Sequence, residues 1–161
     1  MILGNQVEWA LHCMMILGSL PEDKRLSASA LAKFHGVPGE YLAKCLQMLS
    51  QAGLVSTTPG PRGGYCLAKA PNKISFLEIV EAIEGRAKTF KCYEIRGNNP
   101  CLAKVDRRFA KICDIAAIMN DADEAWRNSL RSRKLSDITD GLAAGVSAET
   151  LSNLARWIED N

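Results

Sequence analysis

At 161 residues, 47% apolar and 24% charged, the chain has the make-up of an ordinary globular protein, one domain with room for an extension, and nothing in it suggests disorder. Its net charge of +2 decides little, but residues 1–73 carry seven bases against four acids and residues 86–113 carry eight against Glu94 and Asp106, a distribution that suits phosphate contact or a plain solvated face. The longest apolar run, 9–17, contains His12 and falls short of the roughly 18 residues that cross a bilayer; with no basic flank or cleavage site around it, a membrane span and a signal peptide are excluded and a cytoplasmic protein is expected.

The first predicted element is an amphipathic helix over 7–18. Its stretch VEWALHC (7–13) sets Glu8 and His12 four residues apart, so their side chains differ by about 40° around the helix and lie one turn apart. Two readings stay open at this point. The two groups could satisfy each other as a buried pair, or both could approach one metal centre, with Trp9 close by.

After a polar turn at Pro21, two short helices are predicted. The first runs from a cap at Ser27 or Ser29 to Phe34, with Ala28, Leu31 and Ala32 on its apolar face. Gly36 supplies a tight turn, and the second starts at Pro38 and ends near Gly53, burying Leu42, Cys45, Leu46 and Leu49. This is a helix-turn-helix pattern. LVSTTPGPRGGYCLA (54–68) then reads as strand, sharp tip and strand, a wing with Arg62 at its tip. In a DNA complex the second helix would enter the major groove through Pro38, Gly39, Glu40, Tyr41, Lys44 and Gln47. Glu40 could accept from a cytosine amino group, Tyr41 could contact phosphate, Lys44 or Gln47 could reach base edges or backbone, and Arg62 would sit at the minor groove. The same two hairpins could also serve protein contacts.

SFLEIVEAIEG (75–85) carries a capping box, Ser75 with Glu78, and closes on Gly85. Residues 86–100 lose all periodicity and read as a loop. A long helix is then predicted over 102–133, with Val105, Phe109, Ile112, Ala116, Met119, Ala122 and Trp126 at helical spacing; at about 45 Å it exceeds what one small core needs. Its surplus apolar face calls for a second copy and hence a homodimer on a palindromic double-stranded site. A last helix, capped by Ser147, ends near residue 159 and folds back on the body.

Of six cysteines, Cys13, Cys45 and Cys66 sit inside apolar patterns and are expected in the core, whereas Cys92, Cys101 and Cys113 lie in or beside a polar stretch. No nucleophile-base arrangement and no phosphate-cradling glycine loop occurs, so neither an enzyme nor a small-molecule substrate is expected.

The pattern Y-L-x-x-x-L-x-x-L-x-x-A-G-L-V (41–55), followed by G-x-x-G-G-Y-x-L (60–67), strongly resembles the Rrf-two-type (IscR/NsrR/RsrR-like) bacterial transcription regulators, with likeness over about residues 5–140. The resemblance implies a mainly α fold with a small β-hairpin: a winged helix-turn-helix with a long dimerisation helix. In those terms 1–85 would be the DNA-binding domain, 86–101 a cluster-binding loop, 102–134 the dimerisation helix and 135–161 a tail and helix. It also implies a regulator, a repressor in this reading, that senses redox or nitrosative state through an iron-sulfur cluster. The chain departs from IscR-like members in two ways: its three later cysteines are widely spaced, and no histidine follows residue 35. Another part of the chain must then contribute ligands.

VEWALHC, with C-x-E-I-R at 92–96 and C-D-I-A at 113–116, is most similar to the RsrR-like redox-sensing branch. That likeness implies a [2Fe-2S] cluster on Cys92 and Cys113 with Glu8 and His12, the two pairs drawn from different subunits, Cys101 in reserve and Trp9 near the cluster. Such a ligand set leaves an oxidised site at about −1 where four thiolates would leave about −2, which eases electron uptake. Two alternatives remain: a cluster-free regulator using Cys92, Cys101 and Cys113 as oxidisable thiols, and an iron-sulfur carrier or electron-transfer protein.

Overall fold

Residues Asn5–Gly18 form the first helix, α1, whose buried Val7, Ala10, Cys13, Met14, Ile16 and Leu17 recur at the three- and four-residue steps that keep one face on a core. The computed structural model describes residues 2–60, 63–101 and 111–161. Burial of α1 draws in α2 (Ala28–His35) and α3 (Gly39–Gln51), which contribute Leu31, Leu42, Leu46 and Leu49, all fully buried. Each such leucine contributes about 2 kcal/mol through removal from water.

Local chemistry sets the ends of these helices. Ser27 Oγ accepts from Ala30 N–H at 3.0 Å and caps α2, and Gly36 ends it in the left-handed region at φ 64°. Pro38 is the N-cap of α3. Strands β1 (Val55–Thr58) and β2 (Gly64–Leu67) pair antiparallel, Val55 opposite Leu67, and the hairpin is tied back to the helices by an isolated bridge between Leu26 and Tyr65. That bridge brings backbone so close that a Cβ on Gly64 would stand 2.6 Å from Leu26 O.

Helix α4 (Phe76–Glu84) has the predicted capping box: Ser75 Oγ accepts from Glu78 N–H while a Glu78 carboxylate oxygen accepts from Ser75 N–H at 2.8 Å. A 3-10 turn at Ile95–Asn98 interrupts the expected loop. Helix α5 runs only from Asp114 to Ser132, roughly 28 Å. The long helix expected over 102–133 therefore needs correction: residues 111–113 are not helical, and 102–110, with Val105 and Phe109, lie outside the described residues. Apolar periodicity carried that expectation across a break it cannot detect. Cys113, in extended conformation, is the N-cap, and Asp114 opens the first turn.

The tail expected before the last helix is also helical. α6 (Ser136–Gly145) follows Leu135, which is fully buried in the main core, and α7 (Ala148–Asp160) is capped by Ser147 and folds back through Leu154, Trp157 and Ile158. The architecture is thus mostly helical with one two-stranded hairpin, a winged helix-turn-helix followed by α5. Among the described residues no helix is long and apolar enough to cross a membrane.

Candidate functional site

Helix α3 buries Leu42, Cys45, Leu46 and Leu49 on one side, and helical geometry turns the intervening positions outward. Pro38, Gly39, Glu40, Tyr41, Lys44 and Gln47 are accordingly all exposed. The Lys44 ammonium lies 5.8 Å from the centre of the Tyr41 ring, one turn away, so aromatic face and positive charge form one patch at the start of the helix. Arg62 lies outside the described residues. The wing is held to the body by a contact that sequence reasoning missed: Arg25 Nη1 donates to Cys66 Sγ at 2.7 Å, and Ser56 Oγ lies 3.1 Å from the same sulfur. Cys66 is thus half-buried and polar in its contacts, not a core residue.

On α1, Glu8 and His12 are both exposed and line one groove of about 300 Å³ together with Val7 and Leu11. Neither bonds to the other, so the buried-pair reading fails. Trp9, expected near the cluster, is half-buried against the core and does not line this groove. The His12 ring stands 5.8 Å from that of His35, whose Nε2 is buried and has no hydrogen-bond partner among the described residues; burial, and then repulsion from His12, hold the His35 imidazole below its ordinary pKa. Next to His12 along the chain, Cys13 faces the interior, and burial followed by the neighbouring Cys45 pushes its thiol up to about 12, which fits packing and not ligation.

Arg96 bridges the loop that carries Cys92 and the segment that leads into Cys113. Its guanidinium pairs with the Glu94 carboxylate, Nη2 to Oε2 at 2.8 Å, and Nη2 also donates to Lys111 O at 3.0 Å, pulling the 92–98 loop onto the backbone just ahead of α5. Glu94 foremost, and then the charges of Cys113 and Cys92, hold Arg96 above its ordinary pKa, so one fixed positive charge serves both sulfurs. Cys92 Sγ accepts from Glu94 N–H at 3.4 Å, and Glu94 itself has a left-handed backbone, φ 51°. Cys113 is buried at the amino end of α5, where unpaired backbone N–H groups concentrate positive potential. Cys101 is exposed, and its N–H donates to Asn99 Oδ1 at 2.9 Å.

The two pairs do not meet within one chain. Among the described residues no three histidine, cysteine, aspartate or glutamate side chains lie close enough to share a metal ion. Sequence reasoning also missed the joint between α4 and α5. Arg127 donates to Glu81 Oε1 (2.6 Å), Asp123 Oδ2 (2.9 Å) and Ala87 O (3.0 Å), and Thr89 Oγ1 donates to Asp123 Oδ1 (2.9 Å). The four-residue spacing of Asp123 and Arg127 was a visible signal; the partner of Arg127 on α4, Glu81, was not.

Comparison with known proteins bears on the family and the fold. Residues 3–141 match the family model described as "Rrf2: Iron-dependent Transcriptional regulator". The HTH-type transcriptional regulator NsrR of Geobacillus kaustophilus is 27% identical over 144 residues, 89% of this chain and 93% of the relative. Among solved structures, IscR of T. potens superposes with a TM-score of 0.67 at 19% identity, covering 94% of this chain and 96% of that one. CymR, described as the global cysteine regulator of B. subtilis, superposes with a TM-score of 0.66 at 19% identity, covering 87% and 97%. Both structural likenesses bear on fold.

Proposed function

The chain belongs to the Rrf2 family of HTH-type transcriptional regulators, and from that premise we propose that it works in the cytoplasm as a homodimeric repressor on a palindromic operator, sensing redox or nitrosative state through a [2Fe-2S] cluster held by Glu8 and His12 of one copy and Cys92 and Cys113 of the other. Proteins of this family bind DNA and are not enzymes.

One observation carries the reading: Glu8 and His12 share an exposed groove without bonding to each other, while Arg96 ties the loop that carries Cys92 to the backbone of Lys111, two residues before Cys113. The Glu8 and His12 side chains both stand open to a partner outside their own helix, since the buried pair that would satisfy them within one chain does not form. The donor chemistry fits the group, since thiolate with imidazole and carboxylate suits an iron-sulfur centre whose potential is raised by replacing thiolates. When bound, the cluster would supply a one-electron change. Arg96 and the Glu94 N–H would then orient Cys92 and offset the charge of the sulfurs, and Asn5–Gly18 would pass a shift at His12 to the helix-turn-helix packed on it. A second copy has an apolar face to meet: Ile112, Ile115 and Ile118 are 60%, 66% and 67% exposed on or beside α5.

Anaerobic purification tests the proposal. Coloured protein with about two irons per chain is expected, with iron lost from Glu8→Ala/His12→Ala and from Cys92→Ser/Cys113→Ser chains, and iron partly regained on mixing the two because each mixed dimer keeps one complete site. Colourless protein whose operator binding follows thiol oxidation would overturn it. That result would favour the second reading, a cluster-free regulator switched by Cys92, Cys101 and Cys113, for which the exposure of Cys92 and Cys101 speaks.

A further inference from the structure

One hollow among the described residues has no part in DNA contact or in the proposed cluster. It holds about 440 Å³, within the range of small-molecule sites, and lies between α1, α2, α6 and α7. Met15 and Ile16 of α1, Phe34 of α2, Leu142 of α6, and Leu154 and Trp157 of α7 form its wall. The Phe34 and Trp157 rings touch, with centroids 4.5 Å apart and planes at 57°, and present a rigid aromatic corner. Every lining side chain is uncharged, and the polar ones are Thr150 and Asn153. Thr150 Oγ1 is already engaged with Ser147 Oγ at 2.9 Å, whereas the exposed Asn153 amide makes no hydrogen bond to the described residues.

We propose that this hollow is an effector site for an uncharged, largely apolar small molecule carrying one hydrogen-bonding group, its body against Phe34 and Trp157 and its polar group at Asn153. The chemistry of the wall selects this class. An ionic ligand would lose hydration with no countercharge to replace it. A protein partner needs about 800 Å² of its own surface covered, more than the lining of a hollow this size can offer. Occupancy would be felt at the operator because the wall joins Met15 and Ile16, on the helix that carries His12, to Phe34, which lies two residues before the turn glycine Gly36 that leads into α3. That last consequence rests on the DNA-binding function; binding itself does not.

The test uses the full-length protein and N-phenyl-1-naphthylamine, an uncharged apolar fluorophore, beside its anionic relative 1-anilinonaphthalene-8-sulfonate. Saturable binding of one neutral probe per chain is expected, with the anionic probe about tenfold weaker or more. Val146→Trp and Leu151→Trp, both filling the hollow, should each weaken the neutral probe by about tenfold while circular dichroism stays native. Asn153→Ala should weaken 1-naphthol about fivefold more than naphthalene, which lacks the hydroxyl. Absence of saturable binding, equal binding of both probes, or unchanged binding in both folded filling variants would overturn the proposal. So would probe binding seen only in monomeric protein on sedimentation, which would give the hollow to a second copy. Operator affinity measured with saturating probe reads the coupling separately: a shift of about fivefold supports an effector role, and no shift overturns it while leaving the binding result standing.

Discussion

Arg127 of α5 reaches across to Glu81 of α4, Nη1 to Oε1 at 2.6 Å, with both side chains mostly shielded from solvent. Glu81 also receives Arg86, and Arg127 also holds Asp123, so one guanidinium locks the winged-helix body to the helix that presents the exposed isoleucines. Any movement of α5 against that body must carry or break this joint.

Removing the cation should therefore cost more than removing a surface ion pair. Arg127→Met leaves shielded Asp123 with only the Thr89 hydroxyl and Glu81 with only the exposed Arg86, and a loss of about 3 kcal/mol is expected in urea unfolding. Arg131→Met, whose partner Glu124 is more than half exposed, should change stability by about 0.5 kcal/mol or less.

The same joint sets an acid limit. The Arg127 hydrogen bond, foremost, holds the Asp123 carboxyl below its ordinary pKa. A carboxyl depressed in the folded state stabilises above its unfolded pKa, about 3.9, and that contribution is lost as pH falls through the lower folded value. Thermal midpoints should be flat across about pH 5–7 and fall below about pH 4, with a shallower fall in Asp123→Asn. An equally steep acid limb in Asp123→Asn would show that another group sets it.

Glu40 and Lys44 lie one turn apart on the exposed face of α3 and should fail differently. Lys44→Ala should weaken all duplexes alike and lower the salt slope by about 1, as expected for one lost phosphate contact. Glu40→Ala should relax preference at a single base pair by about 1–3 kcal/mol with little change in salt slope. Binding of a palindrome and its single-base variants at two or more salt concentrations separates the two.

The apolar row around α5 predicts assembly. Ile115→Asp or Ile118→Asp, both strongly exposed in one chain, should leave the fold intact yet yield monomers by sedimentation, with operator affinity lowered by about tenfold or more because two half-sites are no longer bound together.

Arg96 gives a prediction specific to the proposed cluster. Its charge stands beside Cys92 and Cys113, so it favours the more negative, reduced state. In Arg96→Gln the reduction potential should fall while iron content is retained. An unchanged potential would place the cluster elsewhere.

Much of this protein was legible from local pattern. Helical periodicity, Ser27, the Ser75–Glu78 box and Ser147 marked the helix-turn-helix, α4 and the start of α7, because capping and amphipathicity act within a few residues. Glycines at 63 and 64 announced the wing for a like reason: the wing backbone passes too close to its neighbours for a side chain. The start of α5 was not legible, since apolar spacing continues through residues 111–113 where the backbone does not.

Glu8 and His12 were visible as a pair on one helix face, but whether that face was dry or open depended on what packs beside it. Periodicity reports which residues share a face; it is silent on the partner. Only the tertiary structure left that face exposed, curled the 92–98 loop so that Arg96 meets the backbone of Lys111, and tied Glu81 to Arg127 across 46 positions of chain. These are pairings between elements distant in sequence, decided by the cost of leaving buried or charged groups unsatisfied, and no short stretch of the chain encodes them alone.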